Sequence, residues 1–265
     1  MKYAAHVRIL IGAWLAATCM PAALAADQTA LVERLEQTRA VNLQAIIDSQ
    51  FDEADRAGGF LVADPYADKA AKTVELWSQD PKSSDQVCAV RFLDEHRSSY
   101  QLSGFDSGSA AVLAGFTVTH QGRCGSCSTL RDLAIYLSTP DLTSPARDCA
   151  RKAGLKRKKQ CFQQRIGFTA YCAESWAYNA LNTRRECLGA CLGDYGFFNL
   201  LLGRYPGPNV DEAGQLRPCL QCDEDMSGAG FKYSAGRTRR NSGLQSAIKR
   251  PGSEIFPVDH SAYFQ

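Results

Sequence analysis

The feature that most restricts this chain is its cysteine set, because ten cysteines fall between positions 88 and 222 of the 265 residues. They are Cys88, Cys124, Cys127, Cys149, Cys161, Cys172, Cys187, Cys191, Cys219 and Cys222. An even number in a chain of this size reads as a disulfide framework built in an oxidising compartment. Five bridges would make every cysteine structural, whereas four would leave a working pair. Spacing alone leaves the connectivity open.

The N-terminus agrees with export. Lys2 and Arg8 flank the start of an apolar run from Ile9 to Ala17, and small residues end in Ala23-Leu24-Ala25. That order predicts a signal peptide over residues 1–25, whose cleavage would remove the eleventh cysteine, Cys19. The apolar run falls short of the roughly 20 residues that cross a bilayer core. A secreted or periplasmic protein with no stable membrane insertion after cleavage is therefore expected. Beyond residue 25 the chain carries 28 basic and 28 acidic residues. Residues 26–150 hold 11 basic against 18 acidic, and residues 151–265 hold 17 against 10, so two halves of one globule attract each other. A neutral total lacks the sustained basic field of a nucleic-acid binder, and no nucleic-acid partner is expected. The clusters Arg151-Lys152 and Lys156-Arg157-Lys158-Lys159 read as solvated surface.

Periodicity predicts helices over 28–50 and 67–77, then a polar turn at 80–85 that separates an N-terminal helical segment (26–80) from a cysteine-rich domain (85–265). Short β-branched and aromatic runs at 87–93, 100–105 and 110–119 predict a three-strand antiparallel meander. A helix follows Cys127 and stops at Pro140, with further helices over 145–153, 158–181 and 183–192. From Gly203 onward the Gly, Pro and Ser content predicts an ordered loop layer. The aromatics Tyr171, Trp176, Tyr178, Phe197 and Phe198 read as core. The fold class expected is α+β, mostly helical with a small antiparallel sheet, cysteine-rich and disulfide-stapled.

Chemistry concentrates in Thr119-His120-Gln121-Gly122-Arg123-Cys124-Gly125-Ser126-Cys127-Ser128-Thr129. A strand–loop–helix arrangement places Cys127 near a helix N-terminus, where free N–H groups and the helix dipole lower a thiol pKa. His120 would act as general base, with Asp132 as a further member of the cluster. The run Gln121-Gly122-Arg123-Cys124-Gly125-Ser126-Cys127 resembles the segment around the nucleophile of papain-like cysteine proteases. The resemblance implies Cys127 as nucleophile, Gln121 as oxyanion donor and Cys124 as structural, and it departs from that family at Ser128, where an aromatic residue is usual. His260, at 260 − 127 = 133 positions after Cys127, falls within that family's spacing of about 130–150. The Cys124-x-x-Cys127 spacing also suits thiol–disulfide exchange. With Cys219 and Cys222 it would suit zinc, although disulfide formation competes, and neither metal nor cofactor is expected.

A second segment, Ala235-Gly236-Arg237-Thr238-Arg239-Arg240-Asn241-Ser242-Gly243, gathers donors between glycines. Arg237, Arg239, Arg240 and Asn241 are candidate binders of a small or acidic substrate. The function expected is a cysteine–histidine enzyme (a hydrolase, lyase or isomerase) acting on a small or acidic substrate, with a CxxC oxidoreductase and a non-catalytic disulfide-rich binding module as the alternatives.

Overall fold

The helical period of the N-terminal segment runs into a strand edge and breaks there. In the computed structural model, which describes residues 22–51, 55–56, 59–248 and 251–265, helix α1 (Ala22–Glu36) ends five residues before Val41. The signal-peptide reading of residues 1–25 lies, up to Pro21, outside the described residues. Strand β1 (Arg39–Ala40) then lies parallel to a later strand. Arg39 N–H donates to Ser98 O (2.9 Å) and Val41 N–H to Tyr100 O (2.9 Å). Asn42 completes the edge by bonding both the N–H (2.9 Å) and the carbonyl (2.8 Å) of Leu102. Helix α2 (Leu43–Asp48) resumes the expected pattern.

Helix α3 (Asp68–Gln79) matches the second expected helix, and a 3₁₀ turn (Pro81–Ser84), capped by the Asp80 carboxylate, occupies the polar stretch. Strands β2 (Val87–Phe92) and β3 (Ser99–Phe105) pair antiparallel, as their composition predicts. The third expected strand divides. Ser107 caps a short helix, α4 (Gly108–Leu113), through Ala110 N–H, and only Thr117–Gln121 forms β4. Strand β4 pairs on the other side of β2, so the order is β1-β3-β2-β4 and the sheet is mixed rather than a meander.

The remainder is helical: α5 (Leu130–Ser138), α6 (Thr143–Ala150), α7 (Gly154–Cys161), α8 (Ala170–Tyr195), α9 (Phe197–Leu202) and α10 (Pro218–Ala235). A π turn (Phe162–Ile166) extends α7, and Gly167 at φ 98° ends it. The helix expected over 158–181 breaks at Gly167, and α8 joins its second half to the one expected over 183–192. Helix α10 interrupts the expected loop layer, whose described residues on either side are irregular apart from short 3₁₀ turns. It starts with Pro218 in the first turn, a place where the missing N–H costs nothing.

Five bridges use all ten cysteines of the described residues: Cys88–Cys124, Cys127–Cys172, Cys149–Cys161, Cys187–Cys222 and Cys191–Cys219. The α+β, disulfide-stapled class is thus the observed one, consistent with folding in an oxidising compartment. Among the described residues no helix is long and apolar enough to cross a membrane. One core region joins Leu35 of α1 to the sheet through Val90, Tyr100, Leu102, Leu130 and Leu133. Another packs Tyr136, Phe162, Phe168 and Ala177 between the helices. A third sets α3 and Phe51 against Tyr233 of α10.

Candidate functional site

The Cys124–Cys127 segment is a junction between layers. Cys124 is bonded to Cys88 of β2, and Cys127 is bonded to Cys172 in the first turn of α8. Cys127 is fully buried. The expected free thiol at Cys127 is therefore replaced by a bridge, and the two cysteines do not pair with each other for disulfide exchange. The anion site expected at the helix start is also filled. Ser126 N–H donates to Ser234 O (2.9 Å) and Cys127 N–H to Ala235 O (2.8 Å), both at the end of α10. Helix α5 begins later and is capped by Thr129, whose Oγ1 accepts from Asp132 N–H (3.0 Å). Glycine is required for this approach. A Cβ on Gly125 would sit 2.5 Å from Ser234 O, and one on Gly236 would sit 2.6 Å from Gly125 N.

His120 is fully buried beside the junction. Its Nδ1 lies 2.9 Å from Gln121 O, which can only accept, so Nδ1 carries the proton and Nε2 accepts from Ser128 Oγ (2.7 Å). Burial, with Arg237 nearby, holds its pKa well below the ordinary value. The Ser128–His120 pair resembles an activated hydroxyl, but Ser128 is fully buried, and neither side chain lines the groove described below. Gln121 turns its amide away to donate to Ser84 O. Asp132 is fully buried; its carboxylate accepts from Thr129 Oγ1 (2.6 Å) and from Thr169 N–H (2.9 Å) and Oγ1 (2.8 Å). It thereby ties the first turn of α5 to the cap of α8, and burial raises its pKa.

Arg237 is at the centre of this region and also fully buried. Its guanidinium donates to Cys127 O (3.1 Å), Thr119 O (3.0 Å), Ser128 O (3.2 Å), Thr119 Oγ1 (2.6 Å) and Ser242 Oγ (3.1 Å). With five neutral acceptors satisfied it holds no substrate anion. Asn241 is likewise occupied, donating to Gln121 O (2.7 Å) and Gly236 O (2.7 Å). These two expected substrate binders hold the loop together instead. His260 closes the network, with Nε2 2.7 Å from Ser242 O and Nδ1 3.0 Å from Tyr263 Oη.

Arg239 and Arg240 face elsewhere, onto a groove of about 1020 Å³ between α6, α8 and α10. That volume is at the upper end of ligand pockets, which run from roughly 300 to 1,000 Å³. Helix α8 presents Trp176, Ala180, Arg184, Leu188, Cys191 and Tyr195 to it along one i, i+3, i+4 stripe. Helix α10 presents Leu220, Asp223, Gly228 and Phe231. From Trp176 to Tyr195 the floor extends about 28 Å at 1.5 Å per residue. Gly228 leaves it open, since a Cβ there would meet nothing nearer than the Glu224 carboxyl at 4.0 Å.

Charge in the groove is unevenly compensated. Arg240 pairs with Glu224 and Glu254. Asp223 is bonded by Thr183 Oγ1, and burial raises its pKa. Arg239 donates only to carbonyls, those of Gln245 (2.6 Å), Tyr136 (2.6 Å) and Thr139 (2.9 Å). Arg147, at the opposite end, donates to Tyr195 Oη (3.1 Å) and Asn209 Oδ1 (2.9 Å). Among the described residues neither is ion-paired to a carboxylate. Sequence reasoning had flagged Arg239 but not Arg147 or the groove, because the lining comes from helices far apart in the chain. The stripe on α8 was the available signal.

Among the described residues no group of three or more His, Cys, Asp or Glu side chains gathers to hold a metal ion. Residues 155–258 match the model of a family of unknown function, DUF8771. The match takes in α8, α9, α10 and the arginine segment, hence the floor of the groove, and leaves out the sheet and the Cys124–Cys127 junction. No curated protein and no solved structure matches the chain.

Proposed function

We propose that the protein is a non-catalytic, disulfide-stapled binding module of an oxidising extracytoplasmic compartment, whose α8–α10 groove takes a small amphipathic anion. The observation that carries this reading is the pair of arginines, Arg147 and Arg239, set at the two ends of a mostly apolar groove and bonded, among the described residues, to neutral partners. A ligand carboxylate or sulfonate would give either guanidinium a charge-assisted partner, and the apolar body would lie along Leu188, Leu220 and Phe231. Catalysis or disulfide exchange at Cys127 finds no support in a buried bridge.

Titration with the anionic dye anilinonaphthalene sulfonate and the neutral dye phenylnaphthylamine tests the proposal. The native chain should bind both saturably. Gly228→Leu, which fills the floor without a backbone clash, should abolish both. Arg147→Gln should weaken the anionic dye alone by about 10- to 100-fold, the equivalent of one lost charge-assisted bond of roughly 1.5–3 kcal/mol. Unsaturable dye binding, or a Gly228→Leu chain that binds as before, would overturn the assignment.

A further inference from the structure

Helix α9 is amphipathic in the wrong sense for a soluble helix. Its outward arc is Phe197, Phe198, Leu201 and Leu202, exposed by 62, 75, 60 and 56%. At 100° per residue these four fall within one continuous sector, while the polar Asn199 turns inward and donates to Tyr195 O (2.9 Å). The sequence pattern had assigned Phe197 and Phe198 to the core. Such a contiguous exposed apolar face marks an interaction surface.

The surroundings are basic. Arg151, at the end of α6, donates to Leu201 O (3.1 Å), which places the α6–α7 corner directly against α9. Gly203, at φ 70°, permits that contact, because a Cβ there would collide with the Arg151 guanidinium. Residues 147–165 hold eight basic side chains against one acidic, Asp148, which is paired with Arg165; of the eight, Lys158 is buried and Lys159 is paired with Glu174. Arg151, Lys152, Lys156, Arg157 and, just after α9, Arg204 are exposed.

We infer that α9 and the α6–α7 corner form a docking face for an anionic phospholipid bilayer, with α9 lying in the interface and the basic corner against the headgroups. A second copy of the chain fits less well. Four side chains exposed to this extent present roughly 500 Å², short of the ~800 Å² per partner that a stable dimer buries. The surrounding cations would also repel their own image. The face stands independently of the groove's ligand, although Phe197, Leu200 and Leu201 border both.

Co-sedimentation of the full disulfide-bonded chain with vesicles tests the assignment. Vesicles of phosphatidylcholine with one quarter phosphatidylglycerol should carry the protein down, and pure phosphatidylcholine vesicles should carry at least tenfold less. Replacing Phe197, Phe198, Leu201 and Leu202 by serine should reduce the partition coefficient at least tenfold. A single Phe198→Trp chain, for use if the fourfold variant misfolds, should show a blue-shifted indole emission on adding anionic vesicles. No sedimentation with anionic vesicles, or no emission shift, would overturn the proposal. A concentration-dependent dimer that the serine substitutions abolish would assign the face to a second copy and overturn it equally.

Discussion

Replacing Arg237 separates a structural role from a binding one. Its guanidinium serves three carbonyls, of Thr119, Cys127 and Ser128, and two hydroxyls, of Thr119 and Ser242. In Arg237→Met the hydroxyls can find other partners, since Ser242 Oγ is 3.3 Å from Asn241 Oδ1 and Thr119 Oγ1 is 2.9 Å from Tyr263 Oη. The three carbonyls have no such freedom. At about 1–3 kcal/mol for each of the three orphaned buried groups, the loss comes to about 3–9 kcal/mol, with about 6 kcal/mol as the midpoint. Against a total of about 5–15 kcal/mol this is a large fraction. Arg237→Lys should recover little of it, because one compact ammonium cannot reach acceptors spread around the edge of the planar guanidinium fork. Equilibrium unfolding in urea with the bridges intact measures both variants at constant m. If both stayed within 1 kcal/mol of the native chain, the reading of Arg237 as the tie between the Cys124–Cys127 junction and the arginine segment would be refuted.

Two glycines of one helix should respond in opposite directions. Gly230→Ala should lose about 1–2 kcal/mol, because its Cβ would lie 3.0 Å from Tyr66 Cδ1 and nearer still to Cε1, while Asn179 and Ser227 hold the Tyr66 hydroxyl. Gly228→Ala, with open space around its Cβ, should gain about 0.5–1 kcal/mol from helix propensity. Thermal unfolding of the pair checks both, and a common sign would contradict the packing argument. Acid should also weaken the fold through His260, whose pKa burial pushes down to about 4. Its neutral form is favoured only in the folded chain, so this contribution is complete above pH 6.5 and is lost as pH falls from 6.5 through 4, amounting to about 3 kcal/mol. A His260→Gln chain should therefore show a shallower stability–pH curve than the native chain over that range, and parallel curves would exclude the histidine as the cause.

Much of the fold was readable locally. The even cysteine set, the two central strands and the helix ending before Pro140 each follow from short-range pattern. The failures have physical reasons. Ala110–Leu113 reads as apolar strand, but Ser107 supplies a cap and its Ala and Leu content favours the helix it forms. Helix α10 was hidden by Gly228 and Gly230, and each is explained only by a distant neighbour, the groove and the Tyr66 ring. The arginine segment was correctly read as a cluster of donors. Which arginine faces inward depends on acceptors more than 100 positions away, as with Thr119 for Arg237 and Tyr136 for Arg239. The CxxC reading failed for the same reason, because spacing does not say that Cys124 belongs to the sheet and Cys127 to the helices.

The bridges also bear on how the groove could bind. Cys187 and Cys191 stand one turn apart on α8, and they join Cys222 and Cys219 one turn apart on α10, with Cα separations of 5.7 and 4.3 Å. A single tie would fix the distance between two helices but leave each free to roll about it. Two ties, one turn apart, restrain rotation as well as spacing. The same two helices supply the groove floor, so the stripes that face it are held in register by covalent bonds. A ligand entering such a groove need not order the helices, and the ordering entropy that weakens association to flexible sites is avoided. On the proposed function, the cysteines would contribute to binding through geometry, and the recognition chemistry would fall to the arginines at the two ends.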